Sequence, residues 1–260
     1  MTDSRQFVLC GHRGNMAEAA ENTLTSFAGA ERAGVAEIEL DVKVTRDGVL
    51  VVIHDRTVER TAAAPTAYLR TPVERLTFDE LRAVDLGGGE RVPSLEEVLD
   101  ATSVLLQVEI KSPEAARPLA QFLRNRADTD RARCIITSFD ALSLADFNAE
   151  WPDLPRGIAL HVPDLDANWR EHIRRLHVST VYIPLSIATR YIVDELHSDG
   201  YLVGASLIEN PGDARRVVEL NVDGSASNVP ALARRLLEQN GEFTTRFPSF
   251  ASNLLNPDAL

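Results

Sequence analysis

A closed parallel α/β barrel is the fold this sequence predicts, on three observations. Apolar runs of strand length recur eight times along its 260 residues. Segments with helical spacing lie between most of them. The runs themselves are near-continuously apolar, as strands buried on both faces of a parallel sheet are. Eight strand–helix units make a TIM-type (β/α)8 barrel, here with a small helix and loop insertion after the second unit. Periodicity does not show closure, so an open doubly wound sheet is the structural alternative.

The strand runs are FVLCGH (7–12), EIELDV (37–42), VLLQVEI (104–110), RCIITSF (133–139), RGIALHV (156–162), STVYIPL (179–185), YLVGAS (201–206) and NVDGSAS (221–227). After the first, TLTSFAGAERAG places Leu24, Phe27, Ala28 and Ala30 on one helical side, with Gly34 as the stop. RDGVLVVIHD has a turn signal at Asp47-Gly48 followed by a strand, so the second unit carries an extra hairpin-like element. Residues 56–91 lack a buried strand and read as the insertion. PSLEEVLDA opens a helix on proline and serine, and PEAARPLAQFLRNRA carries an apolar stripe through Leu119, Phe122 and Leu123. Pro118 either kinks that helix or marks its true start. Residues 1–240 form one barrel domain in this reading, and 241–260 a C-terminal tail beyond the eighth unit.

Hydrophobic residues make up 44% of the chain, with no apolar run long enough to cross a bilayer and no basic-then-apolar leader, so a cytoplasmic protein without a stable membrane anchor is expected. Cys10 and Cys134 are the only cysteines, too few for a disulfide framework, and both read as buried thiols. A net charge of −12 argues against nucleic acid or an anionic membrane as partner. A small anionic substrate held by a local cluster of cations is compatible with it.

In a barrel of this kind the chemistry sits where strands end. Along IELDV successive side chains alternate, so Ile38, Leu40 and Val42 share one face while Glu39 and Asp41 share the other. The first strand closes on GHRG, which brings His12 and Arg13 to the mouth. In LLQVEIK, Gln107, Glu109 and Lys111 face the axis. The strand ends together present His12, Arg13, Glu39, Asp41, Lys43, His54, Glu109 and Lys111. Three carboxylates without a soft ligand suit a hard divalent cation, Mg²⁺ or Ca²⁺, and would not ionise together without one. Arg13 and Lys111 supply the charge and donors a phosphate needs. His12 and His54 can exchange protons near neutral pH, His54 taken as the base and His12 as the acid.

GHRG, the run ENTLTSFAGAERAGVAEIELDVKVTRDGVLVVIHDRTVERT, and then VPSLEEVLD, VEIK and TSFD in order resemble the signature region of the glycerophosphodiester phosphodiesterases, strongly over residues 9–111 and fairly to about residue 204. The resemblance implies a TIM-type barrel that hydrolyses a small-molecule glycerophosphodiester to an alcohol and glycerol 3-phosphate with one divalent cation. It makes His12 and His54 catalytic, Glu39, Asp41 and Glu109 metal ligands, and Arg13, Lys111 and Phe139 substrate contacts. The match has departures. Ala20 stands where a proline is common, and RTAAAPTAY follows the second histidine in place of a glycine-containing stretch. GASLIEN and SASNVP replace a Trp-Thr-Val-Asn-like run and a Thr-Asp-x-Pro run at the last two strand ends.

Around these residues, Glu21 and Asn22 are expected to fix the entry of the first helix. Asp55 is expected to orient His54, and His161 to edge the site. His172, His177 and His197 read as solvated. Three rival functions remain open. One is a phosphodiesterase of the same fold with another substrate, such as a sphingomyelinase D-like enzyme that cyclises its product. Another is a Schiff-base barrel using Lys111, disfavoured by the acids beside that lysine. The last is a binding barrel with decayed catalysis, disfavoured by the completeness of the charged cluster.

Overall fold

The computed structural model describes residues 7–161 and 169–239; the expected tail and the end of the fifth strand run, Val162, lie outside the described residues. The strands are β1 (Val8–His12), β2 (Glu37–Val44), β3 (Leu50–Val52), β4 (Leu105–Ile110), β5 (Cys134–Ser138), β6 (Arg156–Ala159), β7 (Thr180–Pro184), β8 (Leu202–Ser206) and β9 (Gly224–Ser227). The helices are α1 (Leu24–Ala33), α2 (Phe78–Arg82), α3 (Leu95–Ala101), α4 (Pro113–Arg124), α5 (Asp128–Arg131), α6 (Ala141–Glu150), α7 (Trp169–Arg174), α8 (Arg190–Ser198), α9 (Pro211–Leu220) and α10 (Pro230–Gln239). Among the described residues no helix is long and apolar enough to cross a membrane.

Closure is explicit in the pairing of β1. It runs parallel to β2, with Cys10 opposite Glu37 and His12 opposite Glu39, and parallel to β9, with Val8 opposite Gly224. The remaining parallel ladders link β2 to β4 and then each strand to the next through β9, which gives a closed barrel of eight strands. The open-sheet alternative is thereby excluded. The ninth strand, β3, is the expected hairpin element: it lies antiparallel on the far end of β2, with Val42 opposite Val52 and Val44 opposite Leu50.

The main core lies between the barrel's outer face and the helices, where Leu40, Leu106, Val108 and Ile136 meet Phe27, Leu119 and Phe147. Local signals set the helix ends. The Thr23 hydroxyl accepts from the Ser26 amide, and Gly34, at φ 77°, ends α1 by donating to the Ala30 and Glu31 carbonyls. The buried face of α1 includes Ser26, Phe27, Gly29 and Ala30, whereas Ala28 is half-buried because the face is centred one residue away from the expected one. A capping box between Ser94 and Glu97 opens α3. The α4 helix starts at Pro113, so Pro118 lies inside it; what Pro118 removes is only the donor to the Glu114 carbonyl.

The insertion has a small core of its own. Val58, Val73, Leu76, Leu81, Val84 and Leu86 pack on Val51 and Ile53, the inner side of the hairpin. It contributes α2 and one 3-10 turn, Val73–Arg75.

Candidate active site

The β2 strand is longer than the barrel needs, and this overshoot builds the site. Beyond Asp41 it passes the rim, turns at Asp47-Gly48 and returns as β3, whose next residue Ile53 donates to the Asp41 carbonyl at 2.8 Å. His54 is thus delivered to the mouth beside the strand that carries the acids. The overshoot also corrects one expectation. Lys43 shares the alternation of Glu39 and Asp41 but sits past the rim, where it pairs with Glu74 of the insertion at 3.5 Å instead of joining the cluster.

The GHRG turn supplies the next parts. Gly14, at φ 88°, lies so close to α1 that a Cβ there would come 2.4 Å from the Ser26 hydroxyl. Arg13 itself is left-handed, at φ 52°. That backbone aims its amide at Glu39 Oε2 at 3.0 Å, and its guanidinium lies 3.3 Å from Asp41 and 3.0 Å from Glu21.

Glu39, Asp41 and Glu109 are buried, and one carboxylate oxygen from each lies within 4.8 Å of the others. Lys111 stands beside them, 2.6 Å from Glu109 and 3.3 Å from Asp41. Burial, then the charges of Asp41 and Glu109, push Glu39 well above the usual carboxylate range. Burial likewise raises Glu109, against the opposing pull of Lys111. For Lys111, burial works downward but Asp41 and Glu109 outweigh it, and its pKa is raised. Asp41 Oδ1 is buried and accepts no hydrogen bond, its contact being the ion pair with Lys111. Three buried carboxylates converging around such an oxygen make a donor set that a hard cation fits.

The two imidazoles flank this cluster with different partners. His12 Nε2 lies 3.9 Å from Glu39, and its Nδ1 lies 2.7 Å from Asn228 Oδ1. The Asn228 amide nitrogen donates to Glu209 at 2.5 Å, so its oxygen must face the ring, and Nδ1 must carry the proton. Burial lowers the His12 pKa. His54 Nδ1 lies 2.6 Å from Asp55, as expected, and Arg60 donates to the same carboxylate at 2.7 Å. The Arg60 hydrogen bond and then that of His54 hold Asp55 down at about 2.

Several residues in this network were read differently, or not at all, from sequence. Glu21 does not cap α1, because Thr23 takes that place; it bridges Arg13 and Arg60. Asn22 donates to Asp41 Oδ2 at 2.7 Å from a left-handed backbone, φ 57°. Asn228 was visible only as a departure from the family run, and nothing near Arg60 marked it. Phe139 is at the mouth and 42% exposed, stacked on His161 at 4.3 Å with the Lys111 ammonium 5.5 Å from its ring. His197 is not simply solvated: it contacts Asp223 at 2.8 Å. Cys10 and Cys134 are buried free thiols.

Comparison with known proteins agrees with this arrangement. A model of the glycerophosphoryl diester phosphodiesterase family matches residues 12–232. A glycerophosphodiester phosphodiesterase of Caldanaerobacter subterraneus is 30% identical over 247 residues, covering 90% of this chain and 99% of that one. Among solved structures, the barrel is shared with an Oleispira antarctica phosphodiesterase captured with the product sn-glycerol-3-phosphate (TM-score 0.80, 23% identity, 89% of this chain and 96% of that one). It is shared also with a Thermotoga maritima glycerophosphodiester phosphodiesterase (TM-score 0.75, 24% identity, 89% and 99%). With the family matched across the whole barrel, this chain belongs to the glycerophosphoryl diester phosphodiesterase family and is a phosphoric diester hydrolase that acts on glycerophosphodiesters.

Proposed function

We propose that the chain releases glycerol 3-phosphate and an alcohol by paired histidine acid–base catalysis at a site that holds one divalent cation. The observation that carries this reading is the convergence of the buried carboxylates of Glu39, Asp41 and Glu109 at a barrel mouth that also carries two imidazoles whose Nδ1 atoms are both engaged. Those three carboxylates would hold the cation, Mg²⁺ or Ca²⁺ by their all-oxygen chemistry. When bound, it supplies charge neutralisation and Lewis acidity to the phosphoryl group.

Arg13 and Lys111 bind the non-bridging phosphate oxygens and offset the charge that grows in the transition state. Phe139 walls the substrate side of the mouth. The hydrogen-bond partners distribute the proton work. Both histidines keep Nε2 for the substrate, since each Nδ1 donates. His12 answers to a neutral amide and presents an unprotonated Nε2 to the cluster, which suits the base. His54, oriented through Nδ1 by the Asp55 carboxylate, is then the partner that protonates the leaving oxygen. This reverses the assignment expected from sequence, where the partner of His12 was not visible. Residues 1–240 act as one catalytic domain, with the 56–91 insertion packed on the hairpin that leads into His54.

The test uses purified protein and a panel of glycerophosphodiesters followed by ³¹P NMR, with and without chelator and with Mg²⁺ or Ca²⁺ restored. A chelator-sensitive glycerol 3-phosphate signal is the expected result. A cyclic phosphate as the first product would identify the substrate's own hydroxyl as nucleophile. Turnover that ignores the chelator would remove the cation from the account.

A further inference from the structure

Beneath the carboxylate cluster the barrel axis is open. A cavity of about 250 Å³ runs from His12, Glu39 and Glu109 at the mouth down to Val8, Leu202 and Gly224. Barrels of this type usually fill their interior with layers of branched side chains. Here Gly157 and Gly204 let the ring of Tyr182 lie back against the wall: a Cβ on either glycine would come 2.6 or 2.5 Å from that ring. The centre stays free as a result.

Glu37 lies one inward-facing step below Glu39 on β2, opposite Cys10, and lines this cavity. It is 3% exposed, and among the described residues it pairs with no cation; its partner is the Cys10 thiol. The Thr180 hydroxyl, also buried in the cavity wall, has no hydrogen-bond partner. Of the cavity's carboxylates, Glu39 and Glu109 belong to the charged cluster and Asp223 contacts His197, whereas Glu37 has no cationic partner among the described residues. An unpaired carboxylate in a largely apolar cavity, with a phenol ring in the same lining, complements an organic ammonium group.

We propose that Glu37 selects the alcohol half of the diester: an aminoalcohol with a two-carbon bridge, its nitrogen primary or quaternary, lies in the axial cavity with the cation against Glu37 and Tyr182. This assignment rests on the phosphodiesterase reading of the same site. The two-residue step from Glu39 to Glu37 is about 6.6 Å along the strand, a step that a phosphate ester spans when two carbons separate oxygen from nitrogen. The bound ammonium supplies the charge that the protein withholds from Glu37, and the phosphate stays above it between Arg13 and Lys111.

Two measurements test this. The first compares kcat/KM for glycerophosphocholine and glycerophosphoethanolamine with that for uncharged glycerophosphoglycerol, in the wild type and in Glu37→Gln. The wild type should prefer the cationic diesters, and the substitution should cost them about 10- to 100-fold more than it costs the neutral one, the worth of a charge-assisted contact. Cleavage without preference, or an equal loss on all three, overturns the Glu37 assignment alone. Failure to cleave any of them overturns the reaction reading on which it rests. The second needs no variant: free choline should inhibit the wild type about tenfold more tightly than its uncharged carbon isostere, and equal inhibition refutes the proposal.

Discussion

The two sides of the barrel mouth are built on opposite plans. From β1 to β4, including the β3 hairpin, the rim carries His12, Arg13, Glu39, Asp41, His54, Glu109 and Lys111; all but His54 are tied to another of the set by an ion pair or hydrogen bond, and His54 is held by Asp55. From β6 to β9 the cavity wall is mostly small and aliphatic, with Ala159, Pro184, Leu207 and Ala226, and its polar members include His161, Thr180, Tyr182 and Asp223. One side ties most of its charges into a fixed geometry, and the other offers mainly shape. Reaction chemistry tolerates small displacement poorly, whereas a wall of small and aliphatic groups can change its outline without disturbing the charges opposite. The division assigns the reaction to the charged half, while the second half shapes the space into which the alcohol enters above Glu37 of β2.

The largest effects should come from the charged side. His12→Ala and His54→Ala should each lose about 10²–10⁴ in kcat on alkyl diesters if both exchange protons in the transition state. The two should part company on a diester with a nitrophenolate leaving group, which needs no acid. His54→Ala should recover most of its rate there, and His12→Ala should not. Recovery by His12→Ala instead would exchange their roles, and near-normal rates in both would remove them from the chemistry.

Next comes the stability of the metal-free protein. Glu39 and Glu109 are raised in the fold, so the folded state holds more protons than the unfolded one above the ordinary value of 4.5, and stability falls as pH rises from there through the raised values. A divalent ion at about 100 times its Kd adds about 2.7 kcal/mol, or about 5–10 °C in Tm for a domain of this size. The gap in Tm between loaded and chelated protein should widen from about pH 5 to about pH 8. A gap that is constant or narrows contradicts the cluster as the binding site.

Smaller effects sharpen the boundary between the halves. Asn228 lies on β9's side but holds His12. Asn228→Ala should therefore lower kcat about five- to tenfold, the worth of one orienting hydrogen bond, with little change in KM and with Asn228→Asp restoring much of the rate. A pure KM effect would place Asn228 with the substrate wall. The smallest is expected for Arg60→Ala: its side chain is half exposed, and pairs of that kind contribute about 0–1 kcal/mol. Assays at low and high salt should show the residual effect fading with screening.

Much of the charged half was legible because strand alternation converts sequence spacing directly into a shared face. That is why Glu39 and Asp41, and Glu109 and Lys111, were found from the strand pattern itself. The same rule misplaced Lys43, since alternation does not say where a strand leaves the barrel. His54 could be named from the residue pattern, while its placement depends on the antiparallel return of β3. Asn22, Glu21, Arg60 and Asn228 escaped because their roles arise from loop conformations and contacts across long sequence separations, up to 216 residues for His12 and Asn228. The axial cavity was equally hidden. It follows from what Gly157, Gly204 and Tyr182 do together across three strands, and no single run of residues encodes it.

The most direct test of the central claim, that the charged half performs cation-assisted phosphodiester hydrolysis, is a metal titration of the chelated protein by calorimetry alongside ³¹P NMR of glycerol 3-phosphate release. The account predicts one site per chain, turnover that rises with its occupancy, and loss of both heat and product in Asp41→Asn. Full turnover in the chelated protein, or undiminished metal binding by Asp41→Asn, would contradict it.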